Sequence, residues 1–318
     1  MMLKIKIGEV CDVYDGPHAT PKKIDKGPVY LGIDAITDNG KLNPSGYNYL
    51  SEEDYKIWTK RVTPQYGDLV FSYEATLGRY ALIPKDFYGC LGRRLAVVRP
   101  KDERINIKWL YYYFLSPEWS VYIANNTVKG STVNRISIED FPNFYIPLLE
   151  RTEQDKIVKV LSAIDEKIDN NVNINDNLSA MAYDTYMHTF YGKKPNGKLS
   201  DILVENDKSK VQVGEAKESD GEYPFFTSGE AILRWKEHFV DGRNCFLNTG
   251  GNADVKFYVG KAAYSTDTWC ISANQNLGDY LYLLLLSIKP ELNKKFFQGT
   301  GLKHLQKPLL KDRPIYIP

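Results

Sequence analysis

The chain has 318 residues, of which 43% are hydrophobic and 25% charged, and its formal net charge is +1. This length favours two domains, and this composition is ordinary for a globular protein that buries a real core. The near-zero charge excludes a basic character spread over the whole chain, but it leaves open local basic clusters that could bind nucleic acid.

The N-terminus and the cysteines indicate where the protein works. Residues 1–10 alternate lysine with isoleucine and contain no apolar signal core. The apolar run 280–286 is too short to span a bilayer. The cysteines form no C-x-x-C pair, and the four histidines are equally scattered, so a zinc site and a disulfide framework are both disfavoured. We expect a soluble protein of the reducing cytoplasm, without a membrane partner. The four cysteines are Cys11, Cys90, Cys245 and Cys270.

The first half reads as a mixed α/β unit. Short apolar runs bounded by glycine and proline predict strands at 68–72, 80–83 and 92–98. The aromatic block from Trp109 to Tyr122 has helical spacing. The glycines and prolines fall mostly between these runs, which predicts large surface loops of the kind that carry function.

A continuous polar helix is predicted between the halves. Residues 150–191 contain no proline or glycine, Pro147 precedes them, and Gly192 and Pro195 follow. Thr152 could cap the start, and a helix from Thr152 to Tyr191 would be about 60 Å long. The segment from Glu150 to Asp184 carries eight acidic and four basic residues. It is too long and too polar for a core helix of a small domain.

One stripe of this helix needs a partner. The apolar residues fall in steps of four, three and four, which is the spacing of a coiled-coil seam, and the seam then places asparagines at core positions. A simple connector between duplicated domains remains an alternative, although buried asparagines cost stability and usually fix register or partner choice. The predicted partner interface comprises Ile157, Leu161, Ile164, Ile168, Asn171, Asn175 and Leu178.

The second half repeats the first. Segment 106–116 resembles 277–287 at an offset of 171, and 130–137 resembles 299–306 at an offset of 169. Both halves close alike, at 144–147 and 315–318, and 6–10 resembles 198–202 in outline. Ordered matches at a nearly constant offset indicate a duplicated fold, with second-half strands at 244–247, 256–259 and 268–271. In the second half, seven basic and two acidic residues lie between Lys289 and Arg313.

These features together resemble the specificity subunit of type I restriction–modification systems. The resemblance covers the whole chain, and its most specific part runs from Ile146-Pro-Leu-Leu through Glu153-Gln-Asp-Lys-Ile157 to Leu161-Ser-Ala-Ile164-Asp. Leu149 and Glu150 replace the prolines that are usual in the family, which is a minor departure.

The resemblance implies a fold and a function. The fold is α+β: two similar mixed α/β target recognition domains, residues 1–149 and 193–318, joined by a coiled-coil-type helix, residues 150–192. Each domain would read one half of a split site on double-stranded DNA. DNA-methyltransferase (modification) subunits would dock on the helix and methylate adenine, and a motor-nuclease subunit could join them. The subunit itself would be non-catalytic and need no cofactor.

The family's second long helix would begin after Pro318, where this sequence stops. Three alternatives therefore stay open: self-association through the central helix, cover by the modification subunits, or a truncated or silent specificity protein that acts as a protein-interaction scaffold.

Base reading requires polar side chains aimed at base edges, whereas phosphate contacts only position the protein. The candidates differ between the halves where the frames agree, as two different half-sites would require. The domain 1 candidates are Tyr73, Arg79, Arg93, Arg94, Ser131, Thr132, Asn134 and Arg135. The domain 2 candidates are Asn248, Thr249, Asn252, Thr266, Asp267, Thr300, Lys303 and His304.

The motifs of a self-contained enzyme are not evident. Gly192–Lys198 nearly matches a phosphate-binding loop, but Leu199 stands where the magnesium-binding hydroxyl belongs, and the segment follows a helix instead of a strand. The scattered histidines do not predict a nucleophilic triad. A DNA-reading subunit is therefore favoured over a protein scaffold, and an independent enzyme is the least favoured.

Overall fold

A computed structural model describes residues 3–129, 133–274 and 276–318. Its contacts divide the chain into two compact units, Met1–Asn170 and Asn171–Pro318. We call the elements before the central helix domain 1 and those after it domain 2.

Domain 1 has three layers, which are a central sheet, two helices on one side of it and a second sheet on the other side. Short 3-10 turns at Ile33–Ala35, Pro44–Gly46 and Phe141–Asn143 complete its loops. Its elements are β1 (Lys4–Lys6), α1 (Ile7–Val10), β2 (Cys11–Asp15), β3 (Ile24–Leu31), β4 (Asn48–Tyr49), α2 (Glu52–Trp58), β5 (Leu69–Ser72), β6 (Tyr80–Leu82), β7 (Gly89–Leu91), β8 (Leu95–Pro100), α3 (Ile107–Phe114), α4 (Pro117–Asn126) and β9 (Tyr145–Pro147).

The central sheet has the strand order β2-β8-β5-β6 and is antiparallel throughout. A second sheet, β4-β3-β7, pairs β3 with β7 in parallel. Because successive strand residues point to opposite faces, β5 serves two cores. Leu69 and Phe71 pack on the side of α3 and α4, whereas Val70 packs on the side of the second sheet.

The helix α5 (Arg151–Thr189) is 39 residues long. It confirms the predicted central helix, with ends within a turn of those expected. At about 1.5 Å per residue it extends for about 58 Å. Most of its residues from Asp165 to Thr185 are exposed, so its own chain buries little of it.

Domain 2 follows the same plan. A 3-10 turn at Leu199–Asp201 precedes its sheets, and a π-helical turn at Leu292–Phe296 follows α8. Its elements are β10 (Gly197–Lys198), β11 (Leu203–Glu205), α6 (Val213–Lys217), β12 (Tyr223–Phe226), β13 (Ile232–Trp235), β14 (Arg243–Asn248), β15 (Val255–Val259), β16 (Ala263–Tyr264), β17 (Thr268–Ala273), α7 (Gly278–Ser287), α8 (Lys289–Glu291), β18 (Phe297–Gln298), β19 (His304–Leu305), α9 (Lys307–Lys311) and β20 (Pro314–Ile315).

The two domains share one topology. The sheet β11-β17-β14-β15 has the order of β2-β8-β5-β6, and β13-β12-β16 has the order of β4-β3-β7, including its one parallel pair. The terminal pairs β1-β9 and β10-β20 also correspond. The predicted duplication is therefore a duplication of every layer, and the predicted fold class is confirmed.

One local expectation is refined and two need correction. The aromatic block forms two helices, because Ser116 caps a new helix, accepting a hydrogen bond from the Trp119 N–H (3.2 Å), and Pro117 occupies its first position. The strand expected from Gly92 starts at Leu95, since residues 93–94 form a turn. In the closing strands, Ile146 pairs with Ile5 and Ile315 pairs with Gly197, so the equivalence is Ile146 with Ile315, two residues from the predicted one.

Gln154 joins α5 to domain 1. Its side chain is fully buried. Its amide nitrogen donates to the carbonyls of Arg104 (2.8 Å) and Leu149 (2.9 Å), and its amide oxygen accepts from the Asn106 N–H (2.8 Å). The glutamine of the Glu-Gln motif thus satisfies three backbone groups at the start of the helix.

A buried ion pair supports the central sheet of domain 1. Asp68 is 2% exposed and accepts two hydrogen bonds from Arg99, each 2.7 Å long, and a third from the Gln65 N–H at 2.8 Å. The hydrogen bonds that Arg99 donates to Asp68 raise the pKa of Arg99 above its ordinary value.

Removing the Asp68 charge should destabilise the protein. We expect Asp68→Asn to lower the free energy of unfolding by about 2 kcal/mol, because an amide cannot accept both arginine hydrogen bonds. Urea unfolding measures the change. The matched control is Asp38→Asn, whose carboxylate pairs with Arg79 but is 89% exposed; a surface pair of this kind contributes less than about 1 kcal/mol. Equal losses in both variants would contradict this role for Asp68.

Two further findings concern the cysteine thiols and the apolar character of the helices. The free cysteines, Cys11, Cys90, Cys245 and Cys270, are all buried, and burial raises the pKa of each thiol, to about 12 for Cys11, Cys90 and Cys270. Within the described ranges, none of the helices combines the length and the apolar character that crossing a membrane requires.

Candidate nucleic-acid interface

The same backbone corner occurs in both domains, directly after β5 in domain 1 and directly after the equivalent strand β14 in domain 2. In domain 1 the Tyr73 N–H donates to the Arg94 carbonyl (3.1 Å), and the Ile136 N–H donates to the Tyr73 carbonyl (2.7 Å). We call residues 73–79, 92–94 and 133–136 the domain 1 corner. It brings together three loops that are far apart in the sequence.

Domain 2 repeats these bonds. The Thr249 N–H donates to the Asp267 carbonyl (3.1 Å), and the Leu305 N–H donates to the Thr249 carbonyl (3.0 Å). Residues 249–254, 265–267 and 302–305 form the domain 2 corner. Isolated bridges of Glu74 with Arg135 and of Gly250 with His304 complete the correspondence. The equivalent positions are therefore Tyr73 and Thr249, Glu74 and Gly250, Arg94 and Asp267, and Arg135 and His304.

Tyr73 is buried beneath the domain 1 corner. It is 4% exposed, and its hydroxyl has no hydrogen-bond partner in the described part of the chain. Burial raises the pKa of the hydroxyl; Asp15 and Glu74 raise it further, while Arg61 and Arg93 oppose them. The hydroxyl is thus neutral and can act as a hydrogen-bond donor.

Arg94 holds a strained backbone conformation. Its φ is 73°, and Ala75 across the corner has a φ of 68°. Left-handed conformations are uncommon for residues with a side chain and concentrate at functional sites. The Arg94 Nε lies 3.0 Å from Glu74 Oε1, yet its N–H makes no hydrogen bond within the described residues. The contact is therefore an ion pair, with the N–H not directed at the carboxylate.

The other predicted arginines of domain 1 differ in their surroundings. Arg93 and Arg135 are exposed. Arg79 instead binds its own domain: its guanidinium donates to the Ile33 (3.3 Å) and Ile36 (2.8 Å) carbonyls and pairs with Asp38 at 3.1 Å. We therefore assign Arg79 to holding the loop 33–38 instead of contacting bases.

Asn134 is exposed and lines a cavity of about 460 Å³ together with Leu77, Gly78, Ser120 and Thr127. The cavity opens beside the domain 1 corner. Ser131 and Thr132 lie outside the described residues.

In domain 2, one predicted residue shapes the corner from within. Asn248 is buried, its amide nitrogen donates to the Gly250 (2.7 Å) and Asn252 (2.6 Å) carbonyls, and its oxygen accepts from the Asp254 N–H (2.8 Å). Both amide hydrogens are used, so we assign Asn248 to loop shape instead of base contact.

The remaining predicted residues of domain 2 lie at the surface. Asn252, Asp267, Thr300, Lys303 and His304 are exposed, and Thr249 and Thr266 are half-buried. The Thr249 hydroxyl donates to the Asp267 carbonyl (3.0 Å).

A polar cavity of about 500 Å³ adjoins the domain 2 corner. Thr249, Thr266 and Asp267 line it together with Trp269 and Lys307. The Lys307 ammonium lies 4.9 Å from the centroid of the Trp269 ring, and burial lowers the pKa of Lys307 below its usual value. The cavity thus combines a carboxylate, hydroxyls and a cation held over an aromatic face.

The predicted helix interface remains at the surface of its own chain. Ile157, Ile164, Ile168 and Leu178 are between 37% and 57% exposed, Asn171 and Asn175 are exposed, and Leu161 is half-buried. A neighbouring stripe of α5 faces domain 1: the Tyr112 hydroxyl donates to Asp165 (2.7 Å), and Lys41 pairs with Asp169.

The candidates predicted from the sequence leave out charged residues at the domain 1 corner and beside it. Glu74 was not among the candidates, and neither was the pair of Asp15 with Arg61, whose Nη1 lies 3.0 Å from both carboxylate oxygens. The pair of Asp15 with Arg61 has no sequence signal, because it depends on a long-range contact between loops. Only its position directly after Tyr73 marks Glu74.

Two known proteins are similar to this chain, one in sequence and one in fold. The Type I restriction enzyme MjaIX specificity subunit of Methanocaldococcus jannaschii is 27% identical over 150 residues, which are 47% of this chain and 34% of that protein; the chain thus matches about a third of this relative. The crystal structure of a type I restriction–modification S subunit from M. genitalium aligns over 98% of this chain and 86% of its own, with a TM-score of 0.50 and 16% identity. This second likeness concerns the fold alone.

The family itself is settled by the extent of the sequence match. The model of the family described as "Type I restriction modification DNA specificity domain" matches residues 2–180 and again 193–318. The two matched segments contain the two duplicated domains, and the first also includes most of α5. The chain therefore belongs to the type I restriction modification DNA specificity domain family, as the resemblance in its residues predicted.

Proposed function

We propose that this chain is the sequence-reading subunit of a type I restriction–modification complex, with each domain reading one half of a bipartite site on double-stranded DNA. The observation that carries the proposal is the repeated corner. The two corners share their backbone hydrogen bonds but differ at every equivalent side chain compared above. A shared frame with different side chains is what two different half-sites require.

The charges at the corners support contact with DNA. Domain 1 presents Arg93, Arg94 and Arg135 around its corner, and domain 2 presents Lys303 within its basic segment 289–313. Exposed cations suit phosphates, whereas the half-buried Arg94 and the exposed carboxylate of Asp267 suit base edges.

We further propose that the chemistry belongs to partners. The chain would be non-catalytic and need no cofactor, modification subunits would methylate adenine near each half-site, and a motor-nuclease subunit could join. The exposed stripe from Ile157 to Leu178 would be covered either by those subunits or by a second copy of the chain. Because α5 is one continuous helix, it would act as a ruler that fixes the distance between half-sites.

Selection from a random duplex library tests the proposal. The intact chain should enrich two short half-sites separated by a constant spacer of unspecified bases. Affinity should fall on the order of a hundredfold between 50 and 200 mM salt if about four phosphates are contacted. Binding that ignores sequence, or that does not respond to salt, would contradict a reading role and would favour a protein-interaction scaffold.

A further inference from the structure

We infer that Glu74 is a positioning residue that aims Arg94 at a guanine in the half-site of domain 1. The inference rests on the proposed function and deepens it, because it names one base and the pair of side chains that reads it. Arg94 would make the base contact, and Glu74 would act only through Arg94.

The backbone around the pair is held in place before DNA arrives. Arg94 and Ala75 both have positive φ angles, and the Arg94 carbonyl accepts the Tyr73 N–H at 3.1 Å. Strain of this kind persists only where the surrounding structure imposes it, and it is a mark of functional sites. The side chain of Arg94 therefore leaves the backbone in a fixed direction.

The Glu74 carboxylate forms an ion pair beside the Nε of the guanidinium without accepting its N–H. Glu74 Oε1 lies 3.0 Å from Arg94 Nε, which leaves the edge formed by the two terminal nitrogens for another partner. Two parallel N–H groups on that edge match the O6 and N7 acceptors of guanine in the major groove. An arginine held by an ion pair beside its Nε thus presents two parallel terminal N–H groups, as a guanine contact requires.

Three buried polar atoms at this corner lack hydrogen-bond partners within the described residues, and one of them is the Nε of Arg79. The Tyr73 hydroxyl and the Arg94 Nε are buried without a hydrogen bond in the described part of the chain. Buried polar groups are nearly always satisfied, so such atoms call for an explanation. Because arginine only donates hydrogen bonds, the DNA group that Arg94 would bind through its terminal nitrogens is an acceptor.

The neighbouring carboxylate favours a base over a phosphate as that acceptor. Glu74 lies against Arg94 and would repel a phosphate brought to the same place, whereas the edge of guanine is uncharged. Arg93 and Arg135 have no ion pair in the described residues and are exposed, so they suit phosphates better.

Domain 2 provides an internal comparison. Gly250 stands in the place of Glu74, and Asp267 in the place of Arg94. An acceptor there cannot bond the O6 and N7 of guanine, but it can accept from an amino group of cytosine or adenine. We therefore expect the guanine contact in one half-site only.

The test combines protein and DNA changes on the selected duplex. The guanine assigned to Arg94 is replaced by 7-deazaguanine, which lacks the N7 acceptor. Wild-type protein should lose roughly tenfold in affinity. Arg94→Ala should lose affinity for the normal duplex, lose nothing more with 7-deazaguanine, and accept other bases at that one position.

Glu74→Gln separates positioning from folding. The variant should unfold at the same urea concentration as wild type and should select the same half-site for domain 2. The loss of affinity caused by 7-deazaguanine should fall below about threefold, since the guanidinium is no longer held in position. Glu139→Gln, at an exposed position, should behave as wild type.

Failure of this inference and failure of the proposed function would give different results. A bipartite motif without guanine in either half, or an equal loss on all duplexes in Arg94→Ala, overturns the inference and leaves the reading function intact. A Glu74→Gln protein with an undiminished 7-deazaguanine penalty overturns the positioning role. Failure to select any bipartite motif overturns the proposed function itself.

Discussion

Inserting four residues after Asn170 should lengthen the spacer of the preferred DNA site by about two base pairs and leave both half-sites unchanged. At about 1.5 Å per residue the insertion adds about 6 Å to α5, and duplex DNA rises about 3.4 Å per base pair. Asn170 is exposed and lies within α5, so the added turn disturbs no buried contact. The duplex with the original spacer should bind on the order of a hundredfold more weakly, because only one half-site at a time can be engaged.

Selection from a random library with the lengthened chain measures this change. The matched control carries four residues between Lys85 and Asp86, in an exposed turn of domain 1, and should select the original spacer. A second variant with two added residues turns the helix by about 200° beyond the insertion point and should lose bipartite selection. Altered half-sites in the four-residue variant, or an unaltered spacer, would show that α5 is not a ruler.

Gln154→Ala should lower the free energy of unfolding of domain 1 by about 3 to 4 kcal/mol. The change strands the Asn106 N–H and the carbonyls of Arg104 and Leu149, which Gln154 satisfies at 2.8 to 2.9 Å. Each buried group left without a partner costs about 1–3 kcal/mol, with part recovered as water enters. Gln154→Glu should be no better, because a carboxylate cannot donate to the two carbonyls.

Urea unfolding and hydrogen exchange check this effect together. The Asn106 amide should exchange more than a hundredfold faster in Gln154→Ala, since about 1.4 kcal/mol corresponds to a factor of ten. Asn173→Ala is the matched control: Asn173 is an exposed amide on the same helix, and its loss should change stability by less than about 0.5 kcal/mol. If the Asn106 amide of the wild-type protein exchanged without protection, the role of Gln154 in joining α5 to domain 1 would be contradicted.

The duplication was predictable because two domains with the same fold need similar residues at equivalent positions. The match of Arg135 with His304 at an offset of 169 came from the sequence, and both residues make the same bridge in their domains. The central helix was predictable for a different reason. A long run without proline and glycine, carrying an apolar stripe, has few alternatives to a helix.

Pairing between distant segments was not predictable. The parallel strands β3 and β7 are far apart in the sequence, with β4, β5 and β6 between them, and neither alternates clearly between apolar and polar residues. The closing strands were matched two residues away from their true register, because a shift of two keeps every side chain on the same face. Local patterns decide the face of a strand, but its partner decides the register.

The candidate reading residues were predicted by type and location, but not by environment. Arg79 and Asn248 have the right chemistry, yet their hydrogen bonds go to backbone carbonyls of their own domains. Glu74 was missed because its contact with Arg94 depends on a left-handed residue in a turn. The sequence identified loops that carry candidate residues, and only the fold shows that these loops meet and which of their side chains remain available.

Hydroxyl-radical footprinting of the intact chain on its selected duplex tests most directly whether two duplicated domains inspect two separate stretches of DNA. We expect two protected patches with an accessible segment between them, and loss of a different patch when Arg94 or Asp267 is replaced by alanine. A single continuous patch, or one patch that both substitutions weaken equally, would contradict this expectation.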